Sequence, residues 1–364
     1  MANQEKEVAQ FTIHYTQYLD KHGNPTQPLP SLAEDPKQLV NLYRSMLVTR
    51  AFDEKSVKLQ RMGKLGTFPS VLGQEAIGVG VGSVMRKEDV LCPNYRDYGA
   101  QFSHGVSMSE LLVYWGGDER GSNFAKARQD FPVCIPIASQ ALHAVGAATA
   151  IKLRKESRVV VVMLGDGATS RGDFYEAMNV AGVWDLPVVF VVNNNQWAIS
   201  MRREEQSRTK TLAQKGIAAG IWSEQIDGND VFAVHEVTQA AIERAREAKG
   251  PTLIEALSYR MGDHTTADDA SRYRDPSELE QHREEDPIKR LRYYLEQKGW
   301  WNDQKEQELH KEIEEEIETA VKEYLSNQPN TPESMFDHLF EKLPEPLVPQ
   351  KEAVKRLYKG SKDE

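Results

Sequence analysis

Between Val159 and Trp197 the chain reads "VVVVMLGDGATSRGDFYEAMNVAGVWDLPVVFVVNNNQW". Two apolar runs break off in small polar residues, Gly165-Asp166-Gly167 after the first and Asn193-Asn194-Asn195 after the second. If the two runs are neighbouring strands, Asp166 and Asn195 project into one crevice. A carboxylate, an amide oxygen and a nearby backbone carbonyl are hard oxygen donors of the kind taken by magnesium or calcium. Magnesium keeps octahedral geometry, usually completed by phosphate oxygens and water. The glycines beside Asp166 let a ligand approach the backbone closely. A helix starting near Gly172 would turn its free N–H groups toward the same place, which favours phosphate. The residue types predict a metal-bridged diphosphate.

Two further segments carry chemistry. "NYRDYG" sets Tyr95 and Arg96 side by side, and arginine suits phosphate by charge and forked donor geometry. His264 stands in "GDHTTADD", a polar loop unsuited to a core, and a histidine there can move protons near neutral pH. Other phosphate sites are not matched. No G-x-x-x-x-G-K-[ST] occurs, and "GDGATSRG" is not a G-x-G-x-x-G turn.

The elements that must position these residues are legible as four short apolar runs, each ending in a polar turn: "DVLCPNYRDYG", "RVVVVMLGDG", "LPVVFVVNNNQW" and "PTLIEALSYRMGDH". Helical periodicity lies between them, over 140–153, 172–183 and 231–249, and before them over 36–62 and in "GQEAIGVGVGSVM" (73–85). Alternating strands and helices predict an α/β fold, a parallel sheet with helices on both faces. In such sheets ligands bind at the carboxyl ends of the strands. Residues 1–36 read as an N-terminal arm that lies on something, a partner being one option. Residues 37–325 read as the diphosphate-anchoring domain. A charged amphipathic helix, "KEQELHKEIEEEIETAVKEYL", gives a C-terminal helical extension with a solvated face, and 326–364 form a partly extended tail.

The 364 residues are 40% hydrophobic and 27% charged, with a net charge of −10. That acidity argues against nucleic acid or an anionic membrane as partner. No signal peptide pattern or membrane-length apolar run is present. The two cysteines, Cys92 and Cys134, have no metal-type pairing and read as buried thiols in a reducing cytoplasm.

The spacing "GDG…NN" resembles the thiamine diphosphate-binding motif. Together with "NYRDYG", "PIASQALHAVGAA" and "YRMGDHTTADDASRYR", in that order, it is similar to the alpha subunits of the E1 component of 2-oxo acid dehydrogenase complexes, over about residues 40–325. The resemblance implies a thiamine diphosphate-binding fold and specific roles. Asp166 and Asn195 would hold Mg2+ through side chains and Trp197 through its carbonyl, where the family often has Tyr. Gly167 and Ala168 would bring backbone N–H groups to the diphosphate, with Tyr95 and Arg96. Ile137, and Ile135 with it, would press on the cofactor rings. His264 would stand beside the reacting carbon, in a loop (Gly262 to Arg274) that orders on cofactor binding. Thr265 replaces the serine that mammalian relatives phosphorylate.

The implied reaction is oxidative decarboxylation of a 2-oxo acid with reductive acylation of the lipoyl group on E2. The glutamate that activates the cofactor would come from a beta subunit in an α2β2 assembly, with Glu176 at the interface. The small-residue helices at 73–85 and 140–150 serve either subunit contact or internal packing. Phe68, Ile135 and Tyr95 would shape the substrate pocket. Pyruvate is the favoured substrate, and a branched-chain 2-oxo acid the alternative. A cofactor-binding regulatory subunit without turnover, or another diphosphate enzyme on a doubly wound fold, are the readings from other classes.

Overall fold

The computed structural model describes residues 6–328 and 330–360. In chain order the strands are β1 (Tyr15–Thr16), β2 (Val90–Cys92), β3 (Val160–Gly165), β4 (Val188–Asn194), β5 (Trp197–Ala198), β6 (Met201–Arg202), β7 (Trp222–Asp227) and β8 (Thr252–Leu257). The α-helices are α1 (Pro36–Arg61), α2 (Glu75–Val84), α3 (Tyr98–His104), α4 (Met108–Trp115), α5 (Ser139–Leu153), α6 (Gly172–Val183) and α7 (Arg203–Gln206). They continue as α8 (Gln214–Ala218), α9 (Val231–Arg246), α10 (Pro276–Arg283), α11 (Pro287–Gln297), α12 (Asp303–Ser326) and α13 (Val348–Gly360).

Six strands form one parallel sheet in the order β1-β7-β8-β4-β3-β2. The central strands β3 and β4 are unbroken apolar runs because both of their faces are covered. Leu164 and Phe190 join α5 and α6 on one side, through Ala144, Ala148, Ala177 and Met178. Met163 and Val191 join α2 and α9 on the other, through Ile77, Val81, Val234 and Ala241. This is the α/β class expected, with helices on both faces. A further core forms where α1, α4, α11 and α12 meet.

The small residues of α2 serve packing within this chain. A Cβ on Gly80 would lie 2.6 Å from Val234 Cγ1 of α9. Helix α5 differs, since Leu142 and Leu153 stand exposed and a Cβ on Gly146 would meet nothing. The acidic helix α12 buries Leu309, Ile313, Ile317 and Val321 along one stripe and solvates the rest, as its pattern predicts.

The arm lies on its own sheet. β1 pairs with β7, Leu19 is buried, and Asp230 accepts from Tyr18 N at 2.6 Å and Leu19 N at 2.9 Å. β7 escaped the sequence reading because "WSEQID" has little apolar content, and only Ile226 and Asp227 in it are buried. The tail is more helical than expected, with α13 folded against a 3-10 turn at Pro332–Phe336. Both cysteines are free thiols, Cys92 buried and Cys134 half-buried. Among the described residues, no helix is long and apolar enough to cross a membrane.

Candidate functional site

β2, β3, β4 and β8 are consecutive neighbours running the same way, so their carboxyl ends open on one edge of the sheet. Tyr95 and Arg96 follow β2, Asp166 follows β3, Asn195 follows β4, and His264 follows β8. The register sets Gly165 opposite Asn193, which meets the condition that joins Asp166 to Asn195. A cleft of about 490 Å3 opens there. Tyr95, Arg96, Ile137, Asp166, Gly167, Ala168, Asn195, Trp197 and His264 all line it.

Asp166 begins the 3-10 turn Asp166–Ser170, and α6 starts at Gly172 with no side chain capping its first turn. Gly167 must be glycine here, because a Cβ would lie 2.8 Å from Ala198 Cβ. Lys215, from α8, locks the turn by donating to Thr169 O at 2.7 Å and Thr169 Oγ1 at 2.9 Å. Burial, then the Arg203 charge, push this ammonium down to about 8.

The cleft separates charge. Asp166 is 4% exposed, and among the described residues its only side-chain partner is Gln206 Nε2 at 3.4 Å. Burial pushes its carboxyl up to about 6, against the opposing pull of backbone N–H groups, Arg260 and Gln206. Two arginines, Arg96 (4% exposed) and Arg260 (0%), lie buried close by. Arg96 Nε donates to Ser70 O at 2.9 Å, and its Nη2 donates to His264 O. Arg260 donates to Ile199 O at 2.8 Å and Tyr273 Oη at 2.7 Å. Among the described residues neither guanidinium has a carboxylate partner. Buried charges are ordinarily paired, so the cleft sets an acid suited to a cation beside Arg96, a cation suited to an anion, with Arg260 buried behind the lining.

His264 Nδ1 faces Arg96 Nη2 at 3.2 Å and Arg260 Nη1 at 3.4 Å. Guanidinium only donates. Nδ1 is therefore the acceptor, and the ring proton sits on Nε2. Burial first, then Arg96 and Arg260, push the imidazolium down to about 3, with Asp268 opposing. His264 is thus a neutral Nε2–H donor across the physiological range. Asp268 accepts from His264 N at 2.8 Å and from Tyr273 Oη, which ties the loop to the site. Arg274 holds the loop from below by donating to the carbonyls of Met261 and Gly262 at 3.1 and 3.2 Å.

The donor set suits a divalent cation with a diphosphate. Asp166 offers a carboxylate with no ion-pair partner among the described residues. Asn195 offers Oδ1, which also receives Trp197 N–H at 3.2 Å. The Trp197 carbonyl meets Arg260 Nη1 only at 3.4 Å and keeps a second lone pair. Among the described residues no cluster of three or more His, Cys, Asp or Glu forms, so a cation here relies on amide and carbonyl oxygens beside the single acid.

Two expected residues fall elsewhere. Ile135, ahead of the turn that Ala138 makes with φ 69°, is 49% exposed and is not among the cleft-lining residues. Phe68 stacks on Tyr98 with ring centroids 5.3 Å apart and packs edge-on to Phe52, fully buried and outside the cleft. Glu176 is exposed on α6 and does not line the cleft. Arg260, Gln74, Gln140, Gln206 and Lys215 were not foreseen. Only Arg260 left a trace, as an arginine at a strand end four residues before His264.

The family model described as "Dehydrogenase E1 component" matches residues 43–333. The pyruvate dehydrogenase E1 component subunit alpha of Mycoplasma genitalium is 38% identical, over 94% of this chain and 96% of the relative. The protein of the same name from Staphylococcus aureus strain Mu50 is 38% identical, over 95% and 94%. That of Mycoplasma pneumoniae is 38% identical, over 94% and 96%.

Proposed function

The chain belongs to the dehydrogenase E1 component family, and from that premise we propose that it is the alpha subunit of an E1 enzyme that oxidatively decarboxylates pyruvate and acylates the lipoyl group of an E2 protein. The observation that carries the reading is the pairing of an uncompensated buried acid, Asp166, with an uncompensated buried arginine, Arg96, at neighbouring strand ends. A magnesium ion held by Asp166, Asn195 and the Trp197 carbonyl would compensate the acid. A diphosphate would compensate Arg96, with Tyr95 and the backbone at Gly167 and Ala168 completing its cradle.

When bound, thiamine diphosphate supplies a nucleophilic carbon for the ketone of a 2-oxo acid and an electron sink for loss of carbon dioxide. The residues of this chain do the rest. Ile137 gives the cleft its apolar wall. His264 presents a proton at Nε2 to a developing oxygen or phosphate, and its neutrality keeps that donor constant with pH. Asp268 and Arg274 hold the loop from Gly262 to Arg274 against the site, and so position His264.

The site needs a second chain. Among the described residues no carboxylate besides Asp166 lines the cleft to activate the far end of the cofactor. Ile137 and Ile199, which line the cleft, stand exposed. An apolar rim of that kind suits a permanent subunit contact, and a beta subunit in an α2β2 assembly would cover it and bring the missing glutamate. Pyruvate is favoured over branched-chain acids because the similar relatives carry pyruvate dehydrogenase names. The test is co-expression with the beta subunit and assay of 2-oxo acid-dependent dye reduction. Turnover of pyruvate well above that of 3-methyl-2-oxobutanoate supports the reading. The reverse order transfers the chain to the branched-chain enzymes, and no turnover of either acid leaves the non-catalytic reading.

A further inference from the structure

Two buried glutamines line the cleft and have no part in the account above. Gln74 is 1% exposed and Gln140 is 3% exposed. Their amide orientations follow from backbone groups of fixed polarity. Trp197 N–H donates to Asn195 Oδ1, so the other end of the Asn195 amide is NH2. That Nδ2 lies 2.8 Å from the Gln74 side chain, so the atom it meets is the oxygen Oε1. Asn193 Nδ2 meets the same oxygen at 3.0 Å. Turning the Gln74 amide over would set NH2 against the fixed NH2 of Asn195. Gln74 Nε2 is therefore held where it is, buried and without a partner among the described residues. At Gln140 the Met163 carbonyl can only accept, so Nε2 faces it at 3.0 Å and Oε1 is left over, again buried and unpartnered.

A lone buried polar atom is costly until it finds a partner. Here two residues that line the same cleft each keep one buried unpaired atom, a donor on Gln74 and an acceptor on Gln140. That pattern describes a polar ligand and excludes a purely apolar one. The unpaired donor belongs to the residue that also fixes Asn195, beside Asp166, at the end assigned to the diphosphate.

We propose that Gln74 is a ligand-binding residue whose Nε2–H donates to an oxygen of the diphosphate, while its Oε1 fixes the Asn195 amide with the oxygen toward the cation. This rests on the diphosphate reading of the cleft. It also explains why two asparagines converge on one glutamine oxygen. They prevent the amide from flipping and so keep a donor facing the ligand.

The test compares Gln74→Glu and Gln74→Met with the unsubstituted protein, as the full chain assembled with its beta subunit. Dissociation constants are measured by calorimetry for thiamine diphosphate and for inorganic pyrophosphate, each with Mg2+. Gln74→Glu keeps the acceptor for both asparagines and removes the donor. Gln74→Met removes the donor without adding charge, and serves if the acid variant does not fold. Both ligands should weaken roughly 10- to 100-fold in either variant, as for one hydrogen bond to a charged group. The deficit of Gln74→Glu should shrink as pH falls, since protonating the new carboxyl restores an O–H donor. Affinities within threefold of the unsubstituted protein would overturn the proposal. Weakening confined to thiamine diphosphate, with pyrophosphate unaffected, would overturn the diphosphate assignment. If the unsubstituted protein binds neither ligand with Mg2+, the reading of the cleft fails first and the inference with it.

Discussion

Asp166→Asn should make the cofactor-free protein more stable while abolishing its response to cofactor. The carboxyl is pushed from 3.8 up to about 6 by burial. A raised acid pKa means that the folded state resists the charged form. The cost is absent below pH 3.8, grows between 3.8 and about 6, and is constant above. At pH 7.5 it amounts to about 3 kcal/mol, at 1.36 kcal/mol per pKa unit. Asparagine has a similar shape and no charge, so the variant recovers up to that amount. For a chain of this size that is a rise in melting temperature on the order of 5 °C. Thiamine diphosphate with Mg2+ at 100 times its dissociation constant should stabilise the unsubstituted protein by about 2.7 kcal/mol and the variant not at all. The assay is thermal melting of chelator-stripped protein with and without both ligands, at pH 7.5 and at pH 4.5. The advantage of the ligand-free variant should shrink at the lower pH, where Asp166 is protonated. A variant that melts below the unsubstituted protein at pH 7.5, or that still gains stability from the two ligands together, would refute the reasoning.

Gly167→Ala places a Cβ against Ala198, 2.8 Å away, and should weaken thiamine diphosphate at least ~10-fold by displacing the turn; Ala198→Gly in the same chain should restore binding in calorimetry. His264, with its pKa lowered to about 3, should show no imidazole titration between about pH 5 and 8 by NMR. Because that pKa lies below the unfolded value of 6.5, the group lowers stability as pH falls from about 6.5 toward 3, and a His264→Asn variant should lose that part of the acid sensitivity in denaturant titrations. Limited proteolysis between Gly262 and Arg274 should slow when thiamine diphosphate and Mg2+ are added; unchanged cleavage would contradict the ordering of that loop by cofactor.

The strands that carry the site were legible because each is a short apolar run buried on both faces, and such runs leave a continuous signal. The anchors Asp166 and Asn195 were legible because polar residues that interrupt those runs have no packing role. What stayed hidden has a physical reason in each case. β7 lies beside the two-residue edge strand β1 and is largely polar, so it has no apolar signature. Phe68 looked available for a substrate pocket, but whether an aromatic residue faces a cleft or a core depends on neighbours such as Phe52 and Tyr98, which come from other elements. Ile135 and Ile137 read alike in sequence, with only Pro136 between them, and only Ile137 lines the cleft. Gln74 sits before α2 in "GQEA", where a glutamine ordinarily marks nothing. Its importance comes from two asparagines about 120 residues away, a contact that only the closed sheet creates. The charge separation in the cleft was half visible. Asp166 and Arg96 could be picked out, while Arg260 needed the crossing of β8 beside β4 to become the second buried cation.

The central claim is that these strand ends hold a diphosphate through a divalent cation. Calorimetry of the full chain assembled with its beta subunit against thiamine diphosphate, with Mg2+ and with chelator, tests it most directly. The account predicts saturable one-to-one binding that disappears when Mg2+ is removed. Binding that persists without Mg2+, or binding of a nucleoside diphosphate in place of thiamine diphosphate, would contradict it.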